Sequence, residues 1–203
     1  MWPPLSIIWV NYNSIGIMDI VLRSLKSVLE LEYPDYEVIV VDNASSDGSF
    51  EKIRDLVRGN VGRGGPSVKP LRLRVNKGYA GGVTEGFKAR DRSSKYVVVM
   101  NNDVIVLPGA LKSLVELAEQ EDRVGAVNGV LLSYQNPVII DSAGGILNEL
   151  LTPGSLFSGW SFNEYRIGRP YANLLIVGLI TNSRFKAVIR VLAVKRVLRY
   201  QIS

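Results

Sequence analysis

The 203-residue chain contains no cysteine and no histidine. The lack of thiols excludes a disulfide scaffold, a thiolate nucleophile and a cysteine-held zinc or iron–sulfur centre. The lack of imidazole leaves a carboxylate, or some less usual group, as general base. It also puts any metal on oxygen ligands, which favours magnesium or manganese. The start, MWPPLSIIWVNYN, lacks a basic n-region and predicts no signal peptide. Ala172 to Ile180, the longest apolar stretch near the end, is too short to span a bilayer. A reducing cytoplasm is the expected home. Acidic residues are missing from the last part of the chain: 8 basic and no acidic residues follow Glu164, against 16 basic and 19 acidic up to it. The net charge of +5 therefore belongs to the tail and does not point to nucleic acid.

What is present is an alternation of apolar strands and amphipathic helices. Leu5 to Val10, Glu37 to Val41 and Tyr96 to Met100 are apolar throughout and read as buried strands. Met18, Val21, Leu22, Leu25, Val28 and Leu29 recur at helical spacing until Tyr33-Pro34-Asp35. Ser45-Ser46-Asp47 offers caps for a helix carrying Phe50, Ile53, Leu56 and Val57. Gly59 to Pro70 reads as a mobile loop, Leu71 to Val75 as an edge strand, and Gly78 to Arg90 as a glycine-rich turn and helix. A helix with Pro108 in its first turn carries Leu111, Leu114, Val115 and Ala118. Val124 to Leu132 reads as a further strand, interrupted by Gly125 and Gly129. The pattern predicts an α/β fold, a mostly parallel sheet with helices on both faces, and one domain with a possible appendage.

Ligands of such sheets bind beyond the carboxyl ends of the strands. Three strands end there in acceptor-rich clusters: Asn11-Tyr12-Asn13, Asp42-Asn43 and Asn101-Asn102-Asp103. Each cluster carries two readings. Asp103 suits a divalent cation, or caps a turn. Asp42 can accept from a pyrimidine N3–H or from ribose hydroxyls, or closes an Asx turn with Ser45. Tyr12 can stack on a base, or pack under a loop. Gly78, Gly81 and Gly82 let backbone approach a phosphate or sugar, with Lys77 offsetting its charge, or simply form a tight turn. No GxGxxG, GxxxxGK[ST] or GxSxG motif occurs, which disfavours a dehydrogenase, a P-loop nucleotidase and a serine hydrolase. Asn43-Ala44-Ser45 matches a glycosylation sequon by chance composition of a strand end.

SIIWVNYNS (Ser6 to Ser14), VIVVDNASSDGS (Val38 to Ser49), NKGYAGGVTEGF (Asn76 to Phe87) and YVVVMNNDVIVLPGAL (Tyr96 to Leu111) resemble, in order and spacing, the family 2 glycosyltransferases. They look most like the rhamnosyltransferase-related branch, over roughly residues 5 to 147. The resemblance implies a GT-A fold and inverting transfer from a nucleoside-diphosphate sugar to a saccharide or lipid-linked acceptor. It implies that Asn11 and Tyr12 line the nucleotide pocket, Asp42 binds the base, and Gly78 and its neighbours face the phosphates or sugar. Asn102 and Asp103 take the place of the family's DxD-type motif, with Asp103 holding Mg²⁺ or Mn²⁺. Asn101 and Asn102 replace acidic residues of some members, leaving one carboxylate for the metal. The acceptor-side Glu-Asp pair of the relatives has no counterpart after Glu164, so the general base is open, Asp141 being the least poor substitute beside Glu149 and Glu164.

The expected organisation is a nucleotide-sugar-binding domain over 1–147 and an incomplete acceptor-side region over 148–203. In the latter, Phe185, Val188, Ile189 and Leu192 alternate at helical spacing with Lys186, Arg190, Lys195, Arg196 and Arg199. This tail reads as a basic amphipathic helix, resting on an anionic membrane or packed with its basic side in water. A truncated, non-catalytic donor-binding or partner subunit is the alternative to an active transferase.

Overall fold

The computed structural model describes residues 1–60, 64–120, 125–147, 153–163 and 188–190. By its internal contacts the chain divides into two compact units, Met1–Pro108 and Gly109–Ser203.

In the first unit the order is β1 (Leu5–Asn11), α1 (Met18–Leu29, after a 3₁₀ turn at Ile15–Ile17), β2 (Tyr36–Asp42), α2 (Ser49–Asn60), β3 (Ser67–Arg72), α3 (Gly78–Ala89) and β4 (Tyr96–Asn101). The four strands are parallel, in the order β3-β2-β1-β4. Every residue of β1 is buried because both of its faces are covered. Alternate residues point to opposite faces. Ile8 and Val10 join Ile39, Val41 and Val97 in a core completed by Val83 and Phe87 of α3. The intervening Trp9 donates its indole N–H to Ser24 Oγ of α1 at 3.1 Å, and Ser24 passes a bond on to the Val104 carbonyl at 2.6 Å. A serine within the apolar stripe of α1 thus satisfies the one polar atom that Trp9 buries. Each apolar side chain so covered contributes about 1.5–3 kcal/mol.

α3 lies unusually close to the sheet. A Cβ added at Gly86 would stand 2.5 Å from Ile8 Cγ2 and 3.0 Å from Val41 Cγ2. The register sets Asn11 opposite Asp42, and Val10 opposite Asn101, so the polar ends of three strands are level at one edge of the sheet. At the other edge Glu37, 7% exposed, closes the strand starts. Its Oε1 accepts from Ser6 Oγ at 2.6 Å and from the Asp91 amide, and its Oε2 pairs with Lys69 Nζ at 2.6 Å. Burial alone would raise the Glu37 pKa; the bonds from Lys69, Ser6 and Asp91 and the Lys69 charge outweigh it and hold the carboxyl below its ordinary range.

The edge strand differs from the sequence expectation. β3 begins at Ser67, inside the segment read as loop, and Pro70 pairs opposite Val40. Proline is tolerated there because an edge strand leaves alternate N–H groups without a ladder partner.

In the second unit α4 (Ala110–Glu119) buries Leu111, Leu114, Val115 and Ala118. The single strand expected over 124–132 is two short ones, β5 (Ala126–Asn128) and β6 (Leu131–Leu132), divided at Gly129, where no side chain holds the chain in a ladder. β6 pairs antiparallel with β7 (Ile140–Ser142), and β8 (Gly145–Leu147) with β9 (Pro153–Ser155). Ile140 and Ala143 centre a small core with Val130, Leu132, Phe157 and Phe162. β10 (Val188–Arg190) pairs parallel with β5. These three residues are a strand rather than part of the expected amphipathic helix, as their β-branched Val188 and Ile189 permit. The rest of that tail lies outside the described residues. Among the described residues no helix is long and apolar enough to cross a membrane.

Candidate functional site

The strand ends of the first unit open into a cleft of about 280 Å³ lined by Val10, Tyr12, Asn43, Tyr79, Asn101, Asn102 and Asp103. β1 delivers Val10, the residues just after β1 and β2 deliver Tyr12 and Asn43, the end of β4 and the turn after it deliver Asn101 to Asp103, and the first turn of α3 delivers Tyr79. Tyr12 and Tyr79 are 47% and 46% exposed, large rings held half in water. Amphipathic rings in that state suit stacking against a flat polar ligand. Asp103 is exposed, and no hydrogen bond or ion pair engages its carboxylate among the described residues.

Two of the residues expected on the wall lie beneath it. Asn11 and Asp42 are both 0% exposed. Asn11 Nδ2 donates to Asp42 Oδ1 at 3.0 Å and to Ser45 and Ser49 Oγ at 3.2 Å. Asn11 Oδ1 accepts from Ser14 Oγ and, at 2.9 Å, from Asn102 Nδ2. Asp42 Oδ2 accepts the Ser45 amide at 3.1 Å, and Arg72 Nε stands 3.6 Å from it. So Asp42 closes the Asx turn with Ser45 and has no oxygen facing a base; this corrects the expectation that it binds one. The wall position of β2 falls to its neighbour Asn43. The turn that follows them places Ala44 at φ 65°, a left-handed conformation costing a non-glycine residue about 1–2 kcal/mol. Ordinary turn statistics gave no signal for choosing Asn43 over Asp42.

Asn43 is itself committed. Its Nδ2 donates to Asn76 Oδ1 at 2.8 Å and to the Gly78 carbonyl at 3.0 Å, and its Oδ1 accepts the Lys77 amide at 3.0 Å. These bonds anchor the loop that leads into α3. Lys77 pairs with Glu85 at 2.9 Å and is not among the cleft residues. Gly78 has φ 70°, and its amide bonds to Asn76 Oδ1. A Cβ at Gly81 would strike Lys77 Cβ at 2.5 Å, and one at Gly82 would meet Val10 Cγ1 at 3.1 Å. Gly78 thus serves the turn, and Gly82 the close seating of α3 on β1. Tyr79, carried in the same motif, is the member that reaches the cleft; its aromatic character between glycines was the available signal.

The donor set of the cleft fits a divalent cation. Asp103 offers a carboxylate without a hydrogen bond or ion pair among the described residues. Asn102, its Nδ2 given to Asn11, keeps Oδ1 as its acceptor atom. All-oxygen donors fit Mg²⁺ or Mn²⁺, which take one or two protein carboxylates when phosphates supply further ligands. No group of three acidic, histidine or cysteine residues gathers among the described residues. Asp141 is exposed on β7 of the second unit. Glu149 and Glu164 lie outside the described residues.

A family model for glycosyl transferase family 2 matches residues 6–178. A poly-β-1,6-N-acetyl-D-glucosamine synthase of Staphylococcus epidermidis is 33% identical over 106 residues, 52% of this chain and 24% of that protein. An uncharacterised glycosyltransferase of Nostoc sp. is 29% identical over 163 residues, 78% of this chain and 48% of that one. The chain thus spans between about a quarter and a half of these relatives. Among solved structures, a mannosyltransferase of Pyrobaculum calidifontis in complex with GDP-Man and Mn²⁺ superposes with a TM-score of 0.54 at 19% identity, covering 66% of this chain and 36% of that one. Residues 1–349 of TarS from S. aureus, in complex with UDP-GlcNAc, give 0.51 at 20% identity, with 64% and 34% covered.

Proposed function

We propose a function from one premise: the chain belongs to glycosyl transferase family 2, and its fold is GT-A. In this reading it binds a nucleoside-diphosphate sugar in the cleft and transfers the sugar, with inversion, to an acceptor hydroxyl. The observation that carries it is the meeting, in one cleft at the strand ends, of two half-exposed tyrosines and an unpartnered carboxylate. Tyr12 and Tyr79 hold the base between or upon their rings. Asp103, aided by Asn102 Oδ1, would hold Mg²⁺ or Mn²⁺. A cation bound there offsets the charge that develops on the departing diphosphate.

The acceptor oxygen attacks the anomeric carbon as its proton passes to a carboxylate. The acceptor is a saccharide or lipid-linked hydroxyl, the sugar a hexose or rhamnose, and the setting the cytoplasm, with the basic tail touching the membrane surface. Similarity to proteins named for GDP-Man and UDP-GlcNAc complexes supports the donor class without choosing among bases.

The test is thermal melting with UDP-, dTDP- and GDP-sugars, with and without Mn²⁺. A Mn²⁺-dependent rise in Tm with at least one donor is expected, and Asp103→Ala should remove it. An unchanged melting curve across the panel would overturn the reading. A second reading is donor binding without turnover. Sugar transfer by this chain, measured with cell-extract acceptors, would eliminate it.

A further inference from the structure

We infer that Asn11 is a positioning residue that, held by Asp42, dictates which atom of Asn102 faces the donor. The inference deepens the donor-site reading above and rests on it. An ionised carboxylate only accepts hydrogen bonds. Asp42, beside the Arg72 guanidinium, therefore takes the N–H side of the Asn11 amide, at 3.0 Å. The oxygen side of Asn11 must then face the other way, toward Ser14 and Asn102. An amide oxygen can only be met by a donor, so Asn102 turns its Nδ2 down to Asn11 at 2.9 Å. What remains of Asn102 for the cleft it lines is Oδ1, an acceptor and a ligand for a hard cation.

Reversing the Asn102 amide would present two N–H groups, which repel a cation and lose one oxygen ligand. The energy difference between the two orientations is set at Asp42, two residues away through the relay and itself out of reach of any ligand. The relay is well made for that purpose. Asn11 is fully buried, makes five side-chain hydrogen bonds and joins the ends of β1, β2 and β4 to the start of α2. Buried networks satisfied this completely resist reorientation, because each flip strands a donor or acceptor away from water. Asn11 and Asp42 thus act on the donor although neither touches it.

The experiment is a double-mutant cycle read by calorimetric titration of UDP, dTDP or GDP in the presence of Mn²⁺. Asn11→Ala is expected to weaken Mn²⁺-dependent binding about 10- to 100-fold, the range found when groups that orient metal ligands are removed. In the Asn102→Ala background, where no amide is left to orient, the same change should cost less than about 3-fold. Equal losses in both backgrounds would overturn the inference and reduce Asn11 to a general structural role. The reciprocal exchange Asn11→Asp with Asp42→Asn provides a second variant if Asn11→Ala fails to fold. It reverses donor and acceptor between the two positions yet still offers Asn102 an acceptor, and should bind within about 3-fold of the parent. A folded exchange variant that has lost binding also overturns it. If the parent chain binds no nucleotide with Mn²⁺, the donor-site reading falls as well, an outcome distinct from binding that is present but additive.

Discussion

Gly86→Ala tests whether the glycines of α3 are there for seating the helix. Helix propensity alone favours alanine, by about 1 kcal/mol. Against it, the new Cβ would lie 2.5 Å from Ile8 Cγ2, 3.4 Å from Ile8 Cγ1 and 3.0 Å from Val41 Cγ2. Ile8 and Val41 are both 0% exposed and sit on paired central strands, so neither side chain has open space to swing into. The helix must instead lift off the sheet, and overpacking of this kind costs about 1–3 kcal/mol before any loss of contacts. With the shrinkage of the Val83 and Phe87 contacts against Ile8 and Val41 added, the net loss is about 1–2 kcal/mol, after the propensity gain. Urea unfolding would show it as a lower midpoint with an unchanged slope. The partner change Ile8→Ala removes the two Ile8 carbons, including the nearest of the three, so the double variant should be more stable than the two single losses added together. A neutral or stabilising Gly86→Ala would refute the reasoning, since it would mean that α3 has room the geometry denies.

Two further predictions concern other parts of the first unit. Glu37 has its folded pKa below the ordinary value, so the unfolded chain protonates first as pH falls. Its contribution is complete above the unfolded pKa and is lost as pH drops through the folded one. Glu37→Gln, costing about 2 kcal/mol at neutral pH, should therefore unfold at nearly the parent's midpoint once pH lies below both values; a constant difference from pH 7 to pH 3 would contradict this. Tyr79→Phe should leave nucleotide affinity, measured by calorimetric titration, within about 3-fold, whereas Tyr79→Ala should weaken it by about 1 kcal/mol through the lost ring stacking.

The relation of the buried charges to the cleft gives the site its character. The carboxylate that reaches solvent in the cleft is Asp103, while Asp42 is spent on Asn11, Ser45 and the neighbourhood of Arg72. Arg72 also donates to Glu51 at 2.9 Å and to the Ser45 carbonyl at 2.8 Å, and lies 4.8 Å over the Phe50 ring. It braces the β2–α2 turn from the outside as Asn11 braces it from within. Asp47 adds a third brace, accepting the amides of Ser49 at 3.0 Å and Ile15 at 2.8 Å. Burial raises its pKa, and the bonds from Ser49 and Ile15 together outweigh this and hold it below the ordinary range. A cleft floor fixed from several sides keeps its ligand-facing atoms in place before a donor arrives, which lowers the ordering cost of binding.

The sequence by itself determined the strands, helices and the edge of the sheet at which chemistry gathers. Runs such as Ile7 to Val10 and Val38 to Val41 leave no polar face, so the strands must be covered on both sides, and three polar clusters must then emerge at their carboxyl ends. The same letters did not determine which member of each cluster meets the cleft. Asp42 and Asn43 are adjacent, both polar and both competent to bind, and the choice between them depends on a left-handed turn at Ala44 and on partners 30 or more residues away. Likewise the glycines of Asn76 to Phe87 look alike in sequence, yet Gly86 is fixed by Ile8 and Val41, and Gly81 by the Lys77 side chain. Local composition sets what a segment can become, because backbone geometry and burial act over a few residues. Which atom faces a ligand is decided by hydrogen bonds and contacts between distant strands, and those exist only once the sheet has closed.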